Sequence, residues 1–243
     1  MFKSSIAVAG IDIDVSDLAQ TLSLPIADPD NMQYDFILLK TPDDLSLIKQ
    51  GKPKSTLKID FTSGELQYRR HKGGSELLIK AIGLNKQPGL QIIDATAGLG
   101  RDAFIMACHG AHVLMLEKNP LIALLLQDAL MRLNEEAISL GLIQEDSINY
   151  LSHLNDLPDV IYLDPMFPER QKSALVKKEM QFLQQILFED DQTEQLLQTA
   201  LKKSKNRVVV KRPNYAGYLG NKEPSYSLKS KANRFDVYIT ERK

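Results

Sequence analysis

The sequence predicts an α/β protein: a doubly wound, Rossmann-like sheet over residues 73–243, preceded by a small N-terminal α/β lobe at 1–72. Three observations carry this expectation. From residue 74 onward, short apolar runs of strand length alternate with longer stretches of helical periodicity, the pattern of a parallel sheet with crossover helices. Val160-Ile-Tyr-Leu163 is continuous and apolar, as a strand buried on both faces should be. A glycine-rich turn, Asp94-Ala-Thr-Ala-Gly98-Leu-Gly100, joins an apolar run to a helical stretch. Open α/β sheets bind their ligands at such strand ends.

The elements follow in order. Before residue 60, Phe36-Ile-Leu-Leu39 and Leu57-Lys-Ile-Asp-Phe61 are short apolar runs separated by Pro25, Pro29, Pro42, Gly51 and Pro53. Ser75 to Leu84 has Leu77, Leu78, Ala81 and Ile82 on one helical face, and Pro88-Gly89 breaks the chain after it. Gln91-Ile-Ile-Asp94 is a short buried strand, and a helix runs from about Arg101 to His109. His112 to Leu116 is a second strand. Asn119 caps the next helix and Pro120 suits its first turn. That helix is expected to run to about Leu140 and end at Gly141, with Leu142-Ile-Gln144 as a third strand. Val160–Leu163 is the fourth. Helices are expected at 173–187 and 192–203, and Arg207-Val-Val-Val-Lys211 is the fifth strand. Arg234–Thr240 alternates as a final strand, with Ser225–Leu228 beside it.

Composition narrows the function classes. A lone cysteine, Cys108, rules out an intrachain disulfide and a cysteine metal cluster. His71, His109, His112 and His153 lack metal-ligand spacing, so no metal is expected. The N-terminus lacks a signal-peptide pattern and no apolar run can span a bilayer, so the protein is expected in the cytoplasm, away from membranes. The net charge of −1 hides an asymmetry. Residues 1–60 hold six Lys/Arg against nine Asp/Glu, whereas 201–243 hold twelve against three. A basic end on a neutral chain suits either a local polyanion contact or a solvated tail.

In the 94–100 turn, Gly98 and Gly100 let backbone approach a ligand closely. Glu117, at the end of the second strand, is placed to accept hydrogen bonds from ribose hydroxyls. Asp146 and Ser147, after the third strand, are placed to meet an adenine edge. Gly98-x-Gly100-x-x-Ala103 also matches the dinucleotide fingerprint, and the loop alone does not separate the two ligands. Asp94 and Asp102 do favour one: together they repel a pyrophosphate but suit the cationic tail of S-adenosylmethionine.

The fourth strand ends in Asp164-Pro165-Met166-Phe167-Pro168. This resembles the Asp/Asn-Pro-Pro-aromatic signature of methyltransferases that act on exocyclic amines of nucleobases, with Met in the second Pro position. Such an amine is a weak nucleophile, because its lone pair is delocalised into the ring. Asp164 and the Pro165 carbonyl can accept its two N–H groups, and Phe167 can stack on the base. A base must be flipped or single-stranded to reach them. These residues leave open guanine N2 or adenine N6 as acceptor, in RNA or DNA, and also a non-catalytic RNA-binding protein on the same fold.

Basic clusters expected to meet RNA are Arg69-Arg70-His71-Lys72, Lys172 with Lys177-Lys178, and Lys211-Arg212, with Tyr215 as a stacking surface. Lys177 and Lys178 serve equally well as the wet face of a helix.

The assembled motifs resemble the ribosomal RNA small subunit methyltransferase J family. The matching pieces are Asp94–Phe104, Leu116-Glu-Lys-Asn-Pro120, Tyr162–Pro168, Gln171–Met180, Arg207–Pro213 and Arg234-Phe-Asp236, with Gly64, Arg69, Arg70, Gly73 and Gly74. The Met of Asp-Pro-Met-Phe-Pro is typical of that family, and the likeness covers about residues 57–240. It implies the class I S-adenosylmethionine-dependent form of the Rossmann-like sheet. It also implies methylation of a guanine N2 amine in 16S rRNA of the small ribosomal subunit; no obligate protein partner is evident in the sequence. Cofactor contacts are implied at Arg101-Asp102, Glu117-Lys118, Asp146-Ser147 and Asp164. Asp146 departs from the family, which often has serine there.

Overall fold

A computed structural model of the chain describes residues 4–52, 54–72, 75–133, 135, 137–165 and 192–240. These fall into two compact units. The first holds the residues up to Asp60 together with Leu124–Arg132; the second begins at Phe61 and holds the other described residues. The division lies ahead of the lobe boundary expected at residue 72.

The first unit is built on a four-stranded sheet in the order β1-β2-β3-β4, from β1 (Ile6–Gly10), β2 (Phe36–Lys40), β3 (Leu45–Lys49) and β4 (Ser55–Leu57). β1 and β2 are parallel, and the later pairs are antiparallel. Helix α1 (Ser16–Leu22) lies between β1 and β2 in sequence and ends on Ser23 in a left-handed conformation. Ala7, Val8, Ile37, Leu38 and Leu47 are fully buried in its core.

The second unit opens with α2 (Gly64–Lys72), a helix the sequence reading had not separated from the lobe, and α3 (Glu76–Ile82). Its sheet contains β5 (Gln91–Asp94), β6 (His112–Leu116), β7 (Leu140–Ile143), β8 (Val160–Leu163), β9 (Arg207–Pro213), β10 (Tyr226–Lys229) and β11 (Asn233–Ile239). The order is β10-β11-β9-β8-β5-β6-β7. The five strands from β9 to β7 are mutually parallel, while β11 runs antiparallel to β9 and β10 antiparallel to β11. Connections from β5 lead one way to β6 and β7, whereas β8 and β9 lie on its other side. The β5/β8 boundary is therefore the topological switch point, where sheets of this kind leave a crevice at their carboxyl ends.

Helix α4 (Arg101–Cys108) is buried from Asp102 to Ala107, as a central helix of such a fold must be, and Phe104 stacks on Phe61 with ring centroids 5.1 Å apart. Helix α5 (Pro120–Arg132) begins as expected: Asn119 Oδ1 accepts from the N–H groups of Leu121 and Ile122. It ends well before the expected Leu140. Gly141 is not its stop signal but a residue inside β7, opposite Leu114. A Cβ there would lie 3.4 Å from Leu114 Cδ1, so glycine suits this close strand contact. Helices α6 (Ser147–His153) and α7 (Thr193–Lys203), with a short 3-10 helix at Leu219–Asn221, complete the described elements. The helix expected at 173–187 lies outside the described residues.

Candidate functional site

Three loops converge at the carboxyl ends of β5, β8 and β9. Asp94 closes β5 and is 2% exposed, with its Oδ1 accepting from the Thr96 N–H at 3.1 Å. The turn that follows is tied to its surroundings on several sides. Ala95 N–H donates to the Tyr162 carbonyl on β8 at 3.0 Å, and Ala97 N–H to Leu116 on β6 at 3.3 Å. The Ser147 hydroxyl at the start of α6 donates to the Ala95 carbonyl at 2.7 Å. The Asp164 N–H donates to the Thr96 hydroxyl, joining the end of β8 to the same turn. Gly98 and Gly100 have φ of +52° and +69°, a region that explains glycine at both positions.

Glu117 braces this turn from β6. Its Oε2 accepts from Gly98 N–H at 3.1 Å and its Oε1 from Asn119 N–H at 2.8 Å. Burial raises the Glu117 carboxyl above its ordinary value, against those two backbone donors. A carboxylate has about four lone-pair sites, so these two bonds leave acceptor capacity for a diol. Asp146 caps α6, accepting from Asn149 N–H at 3.0 Å, which holds Ser147 in the first turn beside Ala95.

Beneath the turn lies a charged cluster. Asp102 Oδ1 accepts from Arg69 Nη2 at 2.8 Å, and its Oδ2 from the Tyr162 hydroxyl and Lys211 Nζ, both at 2.7 Å. Lys211 also donates to Asp164 Oδ2 at 2.8 Å. Burial would raise the Asp102 carboxyl, but the adjacent Lys211 and Arg69 outweigh it and hold the group below the usual carboxylate value. Asp94 has no such direct cation among the described residues. Burial, then the charges of Asp102 and Asp164, push it up to about 8. Asp164 is raised by burial and by Asp102 while Lys211 opposes; its side chain is 40% exposed, so solvent moderates the push. Burial works against the Lys211 ammonium, yet Asp164 and Asp102 hold its pKa above the ordinary lysine value.

This arrangement fits S-adenosylmethionine. Among the described residues three carboxylates face one lysine and one arginine, an imbalance that a sulfonium and an ammonium would relieve. The first turn of α4 offers backbone N–H groups without helical partners, the natural seat for the cofactor's carboxylate.

The sequence-predicted residues thus divide. Asp94, Gly98, Gly100, Asp102, Glu117, Ser147, Asp164 and Pro165 are brought together around one turn, with Arg101 beginning α4 and Lys118 following Glu117. Phe167 and Lys172 lie outside the described residues, as does the side chain of Lys72. Arg69, Arg70, Lys211 and Arg212, the described cations among those expected to meet phosphate, are each engaged by protein groups. Arg69 and Lys211 pair with Asp102, and Arg70 pairs with Glu135 at 3.0 Å. Arg212 is buried and donates to the Gly217 carbonyl. A cation neutralised by a carboxylate offers little to a phosphate. Tyr215 lies on the loop after β9 and is 47% exposed. Sequence reasoning missed Tyr162 and Thr96, whose hydroxyls organise Asp102 and Asp164. Tyr162 reads simply as an apolar strand residue. A groove in the first unit, lined by Gly10, Ile13, Val15, Ile26 and Pro29, contains none of these groups.

Comparison with known proteins agrees with this geometry. Residues 17–240 match the family described as "Putative SAM-dependent methyltransferase". A protein of Coxiella burnetii named ribosomal RNA small subunit methyltransferase J is 45% identical over 233 residues, covering 93% of this chain and 92% of that protein. One of the same name from Aeromonas salmonicida is 43% identical over 231 residues, covering 91% and 92%. The crystal structure of a SAM-dependent methyltransferase from Neisseria gonorrhoeae is similar with a TM-score of 0.74 at 34% identity, covering 96% of each chain. The chain belongs to the ribosomal RNA small subunit methyltransferase J family of S-adenosylmethionine-dependent methyltransferases.

Proposed function

We propose that the chain methylates the exocyclic N2 amine of a guanine in 16S rRNA of the small ribosomal subunit, and so works in the cytoplasm. The names of its relatives support ribosomal RNA as substrate. The observation that carries the amine acceptor is Asp164, a partly exposed carboxylate at the end of β8, tied to the turn after β5 through Thr96.

In this reading Asp94, Gly98, Gly100, Arg101, Asp102 and Lys118 frame the cofactor. Glu117 accepts the ribose hydroxyls, and Asp146 with Ser147 borders the adenine. Bound S-adenosylmethionine supplies a methyl group already activated on a sulfonium. The protein's task is then to orient the amine. Asp164 and the Pro165 carbonyl accept its two N–H groups, favour the pyramidal nitrogen that attacks, and stabilise the positive charge that develops there. Phe167 stacks on the base. Asp164, as a carboxylate, is also placed to receive the proton that the methylated nitrogen sheds. Lys72, Lys172 and Tyr215 are the RNA contacts of this reading, whereas Arg69, Arg70 and Arg212 hold the frame.

The test is methylation of small-subunit RNA from a strain lacking this enzyme, followed by mapping of the modified base. Methyl groups on adenine N6 would replace the guanine assignment, and no incorporation into RNA or subunits would overturn it.

A further inference from the structure

Lys211 stands in the site without the outward face a phosphate contact needs. Its ammonium bridges Asp102 Oδ2 at 2.7 Å and Asp164 Oδ2 at 2.8 Å, and its side chain is 23% exposed. Asp102 cannot follow Lys211 about, because Arg69 Nη2 and the Tyr162 hydroxyl hold the same carboxylate. One end of the bridge is therefore fixed in the frame. At the other end the two oxygens of Asp164 differ: Oδ2 accepts from Lys211, while Oδ1 has no hydrogen-bond partner among the described residues.

We propose that Lys211 is a positioning residue for methyl transfer: anchored on Asp102, it fixes the Asp164 carboxylate by Oδ2 and turns Oδ1 to the acceptor amine. The inference rests on the reading of Asp164 as the group that receives that amine. Electrostatics work in the same direction. Asp164 is faced by Asp94 from β5, Asp102 from α4, Tyr162 on its own strand, Arg69 from α2 and Lys211 from β9. Lys211 is the cation in direct contact with it, and favours its ionised form against burial and the neighbouring carboxylates, which push it up.

The experiment measures single-turnover methyl transfer against pH at saturating cofactor and RNA. It compares wild type with Lys211→Met, Lys211→Arg, Asp102→Asn and Asp164→Asn. Cofactor affinity by calorimetry, RNA affinity by filter binding, and the Asp164 carboxyl-carbon NMR titration in cofactor-free protein are followed in parallel. Activity needs ionised Asp164, so its acid limb tracks that group. Lys211→Met removes the cation and moves the limb and the NMR titration to higher pH by about one unit or more. It also slows transfer roughly 100-fold at neutral pH, with RNA affinity within about threefold of wild type. Lys211→Arg keeps a cation and leaves the limb in place. Asp102→Asn removes a carboxylate and moves the limb to lower pH.

Opposite shifts from two members of one bridge are not produced by general loosening. An unmoved limb in Lys211→Met with tenfold weaker RNA binding would make Lys211 a phosphate contact and overturn the proposal. Should Lys211→Met not fold, the near-isosteric Asp102→Asn decides: a limb that stays or rises overturns it. Substantial turnover in Asp164→Asn would instead remove the reading of Asp164 itself. Loss in Asp164→Asn beside a wild-type profile in Lys211→Met would remove the role of Lys211 alone.

Discussion

Two buried charge clusters sit on neighbouring strands of the larger sheet and are built in opposite ways. On β11, Arg234 and Asp236 are 4% and 0% exposed. Arg234 Nε donates to both Asp236 oxygens, at 2.9 and 3.0 Å. Its remaining nitrogens donate to the carbonyls of Pro213, Asn214, Ala216 and Gly217, and its guanidinium lies 5.1 Å from the Tyr218 ring centroid. Ser227 adds a donor to Asp236. Arg234 and Asp236 meet directly and both are hydrogen-bonded on several sides, and buried Arg212 adds a second cation whose charge is felt by both. In the cluster at the ends of β5, β8 and β9, three carboxylates meet two cations among the described residues, and the carboxylate of Asp94 has only a backbone donor among them. Burial of unbalanced charge works against folding. The closed cluster is scaffold, shaping the loop after β9; the open one keeps an electrostatic deficit that a cationic ligand fills.

The largest effects should come from breaking each cluster at its centre, with different consequences. Asp164→Ala should lower methyl transfer by at least about 10³-fold at saturating cofactor, because it removes the acceptor for the amine and its proton. Melting temperature should hardly change. Substantial residual turnover would place the chemistry elsewhere. Arg234→Met should instead cost roughly 3–5 kcal/mol of stability in urea unfolding, since it takes the direct cation from Asp236 and the Arg234 donors from the carbonyls of Pro213, Asn214 and Ala216, while Gly217 keeps Arg212. A loss below about 1 kcal/mol would show that the closed cluster is not scaffold. Tyr215 rides on the loop that Arg234 shapes. Tyr215→Ala should weaken RNA binding by roughly 1–2 kcal/mol, as loss of one stacked base would, and leave cofactor affinity unchanged. Unaltered RNA binding would return this loop to a purely structural role.

The two clusters were not equally legible in the sequence. Asp94, Glu117 and Asp164 announce themselves because each closes an apolar strand, and the strand order then brings β5 and β8 together at the switch point. Gly141 misled because glycine ends helices and also relieves close strand contacts; only the partner, Leu114, distinguishes the two uses. Lys211 and Arg69 read as surface cations because charge in a sequence carries no direction. Their carboxylate partner, Asp102, lies far along the chain and meets them through tertiary folding. Tyr162 was hidden for the converse reason, a polar hydroxyl on a residue that counts as apolar in a buried strand.

The finest test of the open cluster uses Asp94 and pH. In the cofactor-free protein its pKa is pushed up to about 8, from an ordinary value of 3.8, by burial and by Asp102 and Asp164. A folded pKa above the unfolded one contributes stability that is fully present below the unfolded value and is lost as pH rises through the folded value. Between pH 5 and 8, wild-type stability should therefore decline more than that of Asp94→Asn. Cofactor binding should carry the opposite slope, because a cation beside Asp94 favours its ionised form. Affinity should rise toward about pH 8 and then level, by no more than about tenfold per pH unit, with protons released on binding. Calorimetry in buffers of different ionisation enthalpy counts those protons. The cofactor's own amine titrates alike with both proteins, so the difference between wild type and Asp94→Asn belongs to Asp94. Equal proton counts for the two would mean that Asp94 is as well compensated as Asp236, and the contrast between an open and a closed cluster would disappear.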